Sequence, residues 1–260
     1  MTDTWESAIA RAEALRESAA ESSDPDLLIA VVEACRAARA LVVRRTAPRH
    51  WARSEALLGT ALALLGERSG DTVSLCEAEA CYAAAASAYT RASAPLDWAR
   101  MQRNRGTVLT LLGEHHGEDA ALGLAVTCYR AALEEYSADA AREDRALTET
   151  NLGHALRVMG ERTNDIATLQ QAVACCRASL THDPREDAPL DRAMAQSNLA
   201  NALVALGACE PGAALLDEAV ALYRTALDGL GQPRATAYRA AVRFNLMLAL
   251  QRLQERSQLS

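Results

Sequence analysis

NLGHALRVMGER, Asn151–Arg162, has a near copy 47 residues upstream, NRGTVLTLLGEH at Asn104–His115, and another 47 residues downstream, NLANALVALGAC at Asn198–Cys209. The same step separates Gly66, Gly113, Gly160 and Gly207, and also Gly59, Gly106 and Gly153, with Ala200 next in that series. Ala52, Ala99, Ala146, Ala193 and Ala240 keep it, as do Leu62, Leu109, Leu156, Leu203 and Leu250, while Ala12 and Leu15 carry it to the N-terminus. A fixed period in this range signals a protein built from stacked copies of one supersecondary unit.

The spacing inside the quoted stretch identifies that unit. Ala99, Gly106 and Leu109 fall on one face of a helix, and their counterparts do so in every copy. Gly or Ala on that face lets a neighbouring helix approach closely. A second series lies between these stretches: CRAARAL from Cys35, YRAALEE from Tyr129, CRASLTH from Cys176 and YRTALDG from Tyr223, with Tyr82 in the same slot. Each unit therefore reads as a helix A, a short polar link, and a helix B that stops before SAP, HDP or GQP, where Pro and Gly end helices. Dividing 260 residues by 47 gives about five and a half units, or six A helices and five B helices. One such pair cannot bury its apolar face alone, so the pairs must stack. The sequence predicts an all-α solenoid forming one repeat domain over residues 1–260. Its antiparallel pairs fall near 2–45, 49–91, 96–138, 143–182 and 190–229, and a lone helix A near 234–256 has a polar end suited to a solubilising cap.

Composition agrees with a helical core of small residues. Half of the chain is hydrophobic, yet only 4% is aromatic, with a single Phe. The net charge of −7 and pI near 5.3 oppose attraction to phosphate backbones or anionic lipid, so nucleic acid and membrane are not expected partners. No run approaches the roughly 18 apolar residues of a membrane span, and acids stand in MTDTWESAIA where a secretory leader has basic residues. Seven cysteines without a CxxC pair suit a reducing compartment, and the expected location is cytoplasmic.

The repeat resembles the tetratricopeptide family. Leu58-Gly59 and Leu152-Gly153 match that family's Leu-Gly in helix A, and Ala125 with Ala132, or Ala219 with Ala226, match its paired alanines in helix B. The likeness covers nearly the whole chain, with a unit longer than the usual 34 residues and with Trp51 and Trp98 about four residues earlier than the family's Trp. Such long units resemble repeats found in bacterial proteins beside CHAT protease or NTPase modules, which would here be separate chains. The resemblance implies a right-handed superhelix whose helix A faces line a concave, peptide-binding groove.

On that face Arg100, Arg103, Asn104 and Thr107 stand at i, i+3, i+4 and i+7. Thr150, Asn151, His154 and Arg157 repeat the layout, followed by Ser197, Asn198 and Asn201, and by Asn245. Asn both donates to and accepts from a peptide backbone, and Arg forks onto a carboxylate. The resulting expectation is a non-catalytic scaffold that binds an acidic or C-terminal segment of another protein, with Arg100, Arg103, Asn104, Thr107, Asn151, His154, Arg157, Asn198, Asn201 and Asn245 as contacts and no cofactor. The same residues have a plainer reading, in which the Asn ladder bridges adjacent helices and the arginines form a solvated face.

Other features reduce to the repeat. GEHHGED, Gly113–Asp119, carries His115, His116 and three acids, but matches GERSGDT and GERTNDI in the adjoining copies, so it reads as a linker whose acid caps helix B rather than as a metal site. Cys81, Cys128 and Cys175 share one slot, and Cys35 and Cys176 the next, which are core slots; Cys209 is expected at the surface. No GxSxG, HExxH, phosphate loop or DDxxD is present. The competing class is an enzyme or ligand sensor holding a small molecule near His154, which requires an enclosed apolar pocket.

Overall fold

The computed structural model describes residues 4–21, 25–137, 141–183, 189–210, 212–230 and 236–257. The described residues form eleven α-helices and no strand. They fall in two compact units, Met1–Glu135 and Tyr136–Ser260. The first holds α1 (Trp5–Glu21), α2 (Pro25–Ala40), α3 (Pro48–Ser69), α4 (Thr72–Ala86), α5 (Pro95–His116) and α6 (Asp119–Glu135). The second holds α7 (Arg142–Thr163), α8 (Ile166–His182), α9 (Pro189–Cys209), α10 (Ala214–Gly229) and α11 (Thr236–Ser257). Odd-numbered helices are the A series and even-numbered ones the B series. Within each unit every helix packs on its sequence neighbours, and each A helix also touches the next A helix. This is an all-α helical repeat.

Helix ends follow from local chemistry. Pro48 and Pro95 occupy first-turn positions, where a missing N–H costs nothing. The A helices α3, α5 and α7 stop at left-handed residues one period apart, Gly70 and Gly117 at φ 70° and Asn164 at φ 53°. In each, the N–H donates to the carbonyl of the preceding Gly66, Gly113 or Gly160. The turn then delivers an acid to the start of helix B. Asp71 accepts from the N–H groups of Val73 and Ser74, and Asp165 from that of Ala167. Hydrogen bonds from the Ser74 and Thr168 hydroxyls are the largest causes holding these carboxyls below their ordinary range.

The two helices of a pair meet at two points. A Cβ on Gly106 would lie 2.7 Å from the Tyr129 ring, and one on Gly59 would lie 3.1 Å from the Tyr82 ring. Two turns further along, Cβ atoms on Gly66, Gly113 and Gly160 would come within 2.7, 2.6 and 2.9 Å of Leu75, Leu122 and Leu169. Both tyrosine side chains are buried, as are all three leucines. A flat ring or a leucine tip thus rests on bare backbone, and Ala52, Ala61, Ala99 and Ala155 fill the narrow space left between helices.

The glycines differ in sign when changed. Gly106→Ala should lower stability by about 1–3 kcal/mol through overpacking, although Ala is the better helix former. Gly123→Ala, with nothing within 4 Å of its new Cβ, should raise stability by about 0.5–1 kcal/mol. Denaturant melts of both variants check this, and a stabilising Gly106→Ala would refute the close contact. For the caps, a depressed folded pKa contributes stability above the unfolded pKa and loses it as pH falls through the folded value. Asp71→Ala and Asp165→Ala should therefore lower Tm at pH 7, with the gap from wild type narrowing in acid. A gap constant from pH 7 to pH 2 would contradict the carboxylate's role.

Candidate functional site

The solvent side of the A helices carries the residues singled out above, and each unit presents its own set. In the first unit the B-helix tyrosines reach through to that side. The Tyr82 hydroxyl lies 3.0 Å from Thr60 Oγ1, and the Asn104 side chain also hydrogen-bonds it. The Tyr129 hydroxyl donates to Thr107 Oγ1 at 3.3 Å, and Thr107 in turn donates to the Arg103 carbonyl. Burial pushes both phenols up to about 12, so they stay neutral hydrogen-bonding groups. Arg100 is exposed and pairs with Asp97 on its own helix.

In the second unit the same slots form a tighter cluster. Asn201 accepts from the Tyr223 hydroxyl at 2.6 Å and from Asn245 Nδ2 at 3.0 Å, which ties α10 and α11 to α9. Arg157 pairs with Glu161 and lies 3.4 Å from His154 Nδ1 through its NH2. Its side chain is only 17% exposed. Asn151 and Asn198 are half-buried on α7 and α9. A hollow of about 320 Å³ opens here, lined by Arg157, Glu161, Asn201, Val204, Tyr223, Asn245, Leu248 and Arg252. Burial raises the Tyr223 pKa most, with Arg157 and Arg252 pulling the other way, so two guanidinium groups act on one hydroxyl.

The structure thus gathers Arg157, Asn201 and Asn245 around one cavity, and gives Asn104, Thr107, Asn201 and Asn245 bonds to neighbouring helices. The bridging reading of the Asn ladder holds at Asn104, Asn201 and Asn245, while Asn201 and Asn245 also border the open hollow. Sequence reading missed Arg252, Glu161 and Tyr223. A signal existed for two of them, since Glu161 repeats Glu67 and Glu114 at the 47-residue step and Tyr223 repeats Tyr82 and Tyr129. Arg252 follows Leu64, Leu111, Val158 and Ala205 in its slot, so the period pointed away from a charge there.

A further row separates the units. Positions one period apart hold Arg53 and Arg100 in the first unit and Leu147 and Met194 in the second, and both apolar residues are exposed. Leu147 precedes Arg157 by ten residues, about 15 Å along a helix. One face of the second unit therefore carries apolar side chains toward one end and the arginine-lined hollow toward the other.

The remaining candidates behave as linker and core. His115 is exposed, the His116 side chain lies outside the described residues, and among the described residues no group of three or more His, Cys, Asp or Glu is placed to hold a metal ion. Cys35, Cys81, Cys128 and Cys176 are buried, Cys175 is half-buried, and Cys76 and Cys209 are exposed. Burial pushes the Cys35 thiol up to about 11 and those of Cys81 and Cys176 up to about 12. No helix among the described residues is long and apolar enough to cross a membrane.

No protein-family model matches the chain, and no curated protein matches it. Among solved structures it is similar to the crystal structure of BtubC (BKLC) from P. vanneervenii, at 19% identity over 88% of this chain and 92% of that one, with a TM-score of 0.46. It is also similar to the DHF119 filament, at 15% identity over 96% and 95% of the two chains, with a TM-score of 0.26.

Thiol chemistry checks the core assignment. At pH 8 a disulfide reagent should modify Cys76 and Cys209 rapidly, and Cys35, Cys81, Cys128 and Cys176 only on unfolding. Rapid labelling of Cys176 in the folded protein, read by mass spectrometry, would contradict its placement.

Proposed function

We propose that the chain is a non-catalytic peptide-binding module of the tetratricopeptide type, and that the α7–α9–α11 face of the second unit holds a segment of a partner protein. The observation that carries this reading is the hollow between Arg157 and Arg252. Two guanidinium groups, with the Asn201 and Asn245 amides beside them, offer a carboxylate converging donors, while the Tyr223 hydroxyl already donates to Asn201 Oδ1. Glu161 offsets part of the charge, which favours a ligand group that forks onto arginine over a diffuse anion. Leu147 and Met194 supply an apolar contact about 15 Å away, a span of four or five extended residues. The favoured ligand is a short segment with an acid, or a free C-terminus, about four residues from a large apolar side chain.

A preformed face keeps the ordering cost on the ligand side, and the helix stacking that holds Asn201 and Asn245 in place makes the receptor rigid. The small-molecule alternative calls for an enclosed apolar pocket, whereas only Val204 and Leu248 among the lining residues are aliphatic.

Fluorescence polarisation with a hexapeptide library carrying one acid and one Leu or Phe at varied separation tests the reading. Each peptide is assayed with a free and an amidated C-terminus. Binding should peak at a separation near four residues, weaken with added salt, and fall about tenfold or more for Arg157→Ala or Arg252→Ala. Binding that is unaffected by both substitutions, or absent for every acidic peptide, would refute the assignment.

A further inference from the structure

The last helix exposes a face that every complete pair in the chain buries. Met247 of α11 stands at the position of Gly59, Gly106, Gly153 and Ala200, the slot on which helix B of the same repeat packs. Leu250 stands at that of Leu62, Leu109, Leu156 and Leu203, all buried, and Ala240 at that of the buried Ala52, Ala99, Ala146 and Ala193. In α9 this slot faces its own B helix, because a Cβ on Gly229 of α10 would come within 3.3 Å of Ala193 Cβ. On α11 the face is open. Met247 is 54% exposed and Leu250 38%, and Phe244, which borders them in the slot of Ala56, Arg103, Thr150 and Ser197, is 56% exposed. The opposite face of α11 is the docked one, with Val242 and Ala249 buried, Asn245 bonded to Asn201, and Arg256 bonded to the carbonyls of Gly207 and Gly212.

The residues on this face differ from those of every other A helix. The chain's one phenylalanine is placed here, and Met replaces a residue that is otherwise Gly or Ala. A Met at that slot bars the close approach by which Tyr82 sits on Gly59, so an ordinary B helix does not fit. The expectation of a polar solubilising cap is met by the end of α11 but not by this stripe.

We infer that the α11 face pairs with the same face of a second copy of the chain, the two α11 helices running antiparallel about a two-fold axis at Met247. In that arrangement each residue lies beside the one equally far on the other side of Met247. Phe244 meets Leu250 of the second copy, Met247 meets its own counterpart, Ala240 meets Gln254, and the exposed Arg243 meets Gln251, whose amide oxygen can accept from the guanidinium. The flanks are complementary too, since Arg239 lies beside Glu255 of the second copy, and symmetry makes that ion pair twice. Burial of a self-complementary patch of this kind is the commonest route to a closed dimer, and ridges three and four residues apart on α11 supply the packing surface. The pairing rests on Phe244, Met247 and Leu250, and the peptide-binding reading on Arg157 and Arg252. The two sites are neighbours, since Asn245, Leu248 and Arg252 of α11 line the hollow, and the Met247→Asp and Arg157→Ala variants separate them.

Sedimentation equilibrium of the full chain at micromolar concentrations tests it. Wild type should have the mass of a dimer, while Met247→Asp and Phe244→Asp should associate at least tenfold more weakly with unchanged circular dichroism. A monomeric wild type, or a Met247→Asp variant that dimerises as wild type does, would overturn the proposal. A Met247→Cys variant in a Cys76→Ser/Cys209→Ser background gives an independent reading of the axis. On oxidation with diamide it should form an interchain disulfide through the introduced thiol, and a dimer in which that thiol stays reduced would refute pairing at Met247.

Discussion

A tyrosine ring lying on a glycine of the facing helix sets the distance between α3 and α4 and between α5 and α6. A leucine resting on a second glycine recurs in α3–α4, α5–α6 and α7–α8, and much of the packing follows from these close contacts. With no Cβ at Gly59 or Gly106 the ring meets backbone, and the gap that remains admits Ala and Leu but little that is larger. This explains a core that is rich in alanine and almost free of phenylalanine. The contact also reaches beyond packing. Because the ring crosses the pair, its hydroxyl emerges on the far side of helix A, where it bonds Thr60, Thr107 or Asn201, residues that share one slot of the repeat. The device that spaces the helices thereby fixes the rotamers of the exposed face. Where Cys176 replaces tyrosine the hydroxyl is absent, and the matching position of helix A holds His154, which lies against Arg157 instead.

The helix pairs were legible because the spacing is strict, and because the glycines that repeat are those which only a close contact requires. The caps were legible for the same reason: Asp71 and Asp165 stand one step before helix B in a linker that recurs. The use of the Asn ladder was less legible. A period of 47 places Asn104, Asn151, Asn198 and Asn245 in one slot, but whether a side chain in that slot turns to solvent or to a neighbouring tyrosine depends on packing between repeats. Arg252 escaped notice since its predecessors in the slot are aliphatic. The open face of α11 escaped it since Leu250 keeps the repeat pattern, and pattern alone does not reveal that Met247 and Leu250 are exposed.

The two units use one scaffold for different surfaces. The row that is Arg53 and Arg100 in the first becomes Leu147 and Met194 in the second, while the position that is aliphatic in four A helices becomes Arg252 in α11. Since the stripe toward helix B sustains the fold in each case, the solvent side is free to vary, and charge and apolarity have been redistributed there without altering the packing. Repeat proteins support new binding surfaces in this way, as each unit's stability rests on its neighbours and not on its outer face.

The central claim, that ring-on-backbone contact defines the pair, is tested most directly by a double-mutant cycle between Gly106→Ala and Tyr129→Ala, followed by chemical denaturation. If the contact is as described, Gly106→Ala destabilises the wild-type protein but is neutral or stabilising once the ring is gone, giving a coupling of about 1–3 kcal/mol. Additive effects of the two substitutions would contradict it, because the glycine would then be serving something other than the tyrosine above it.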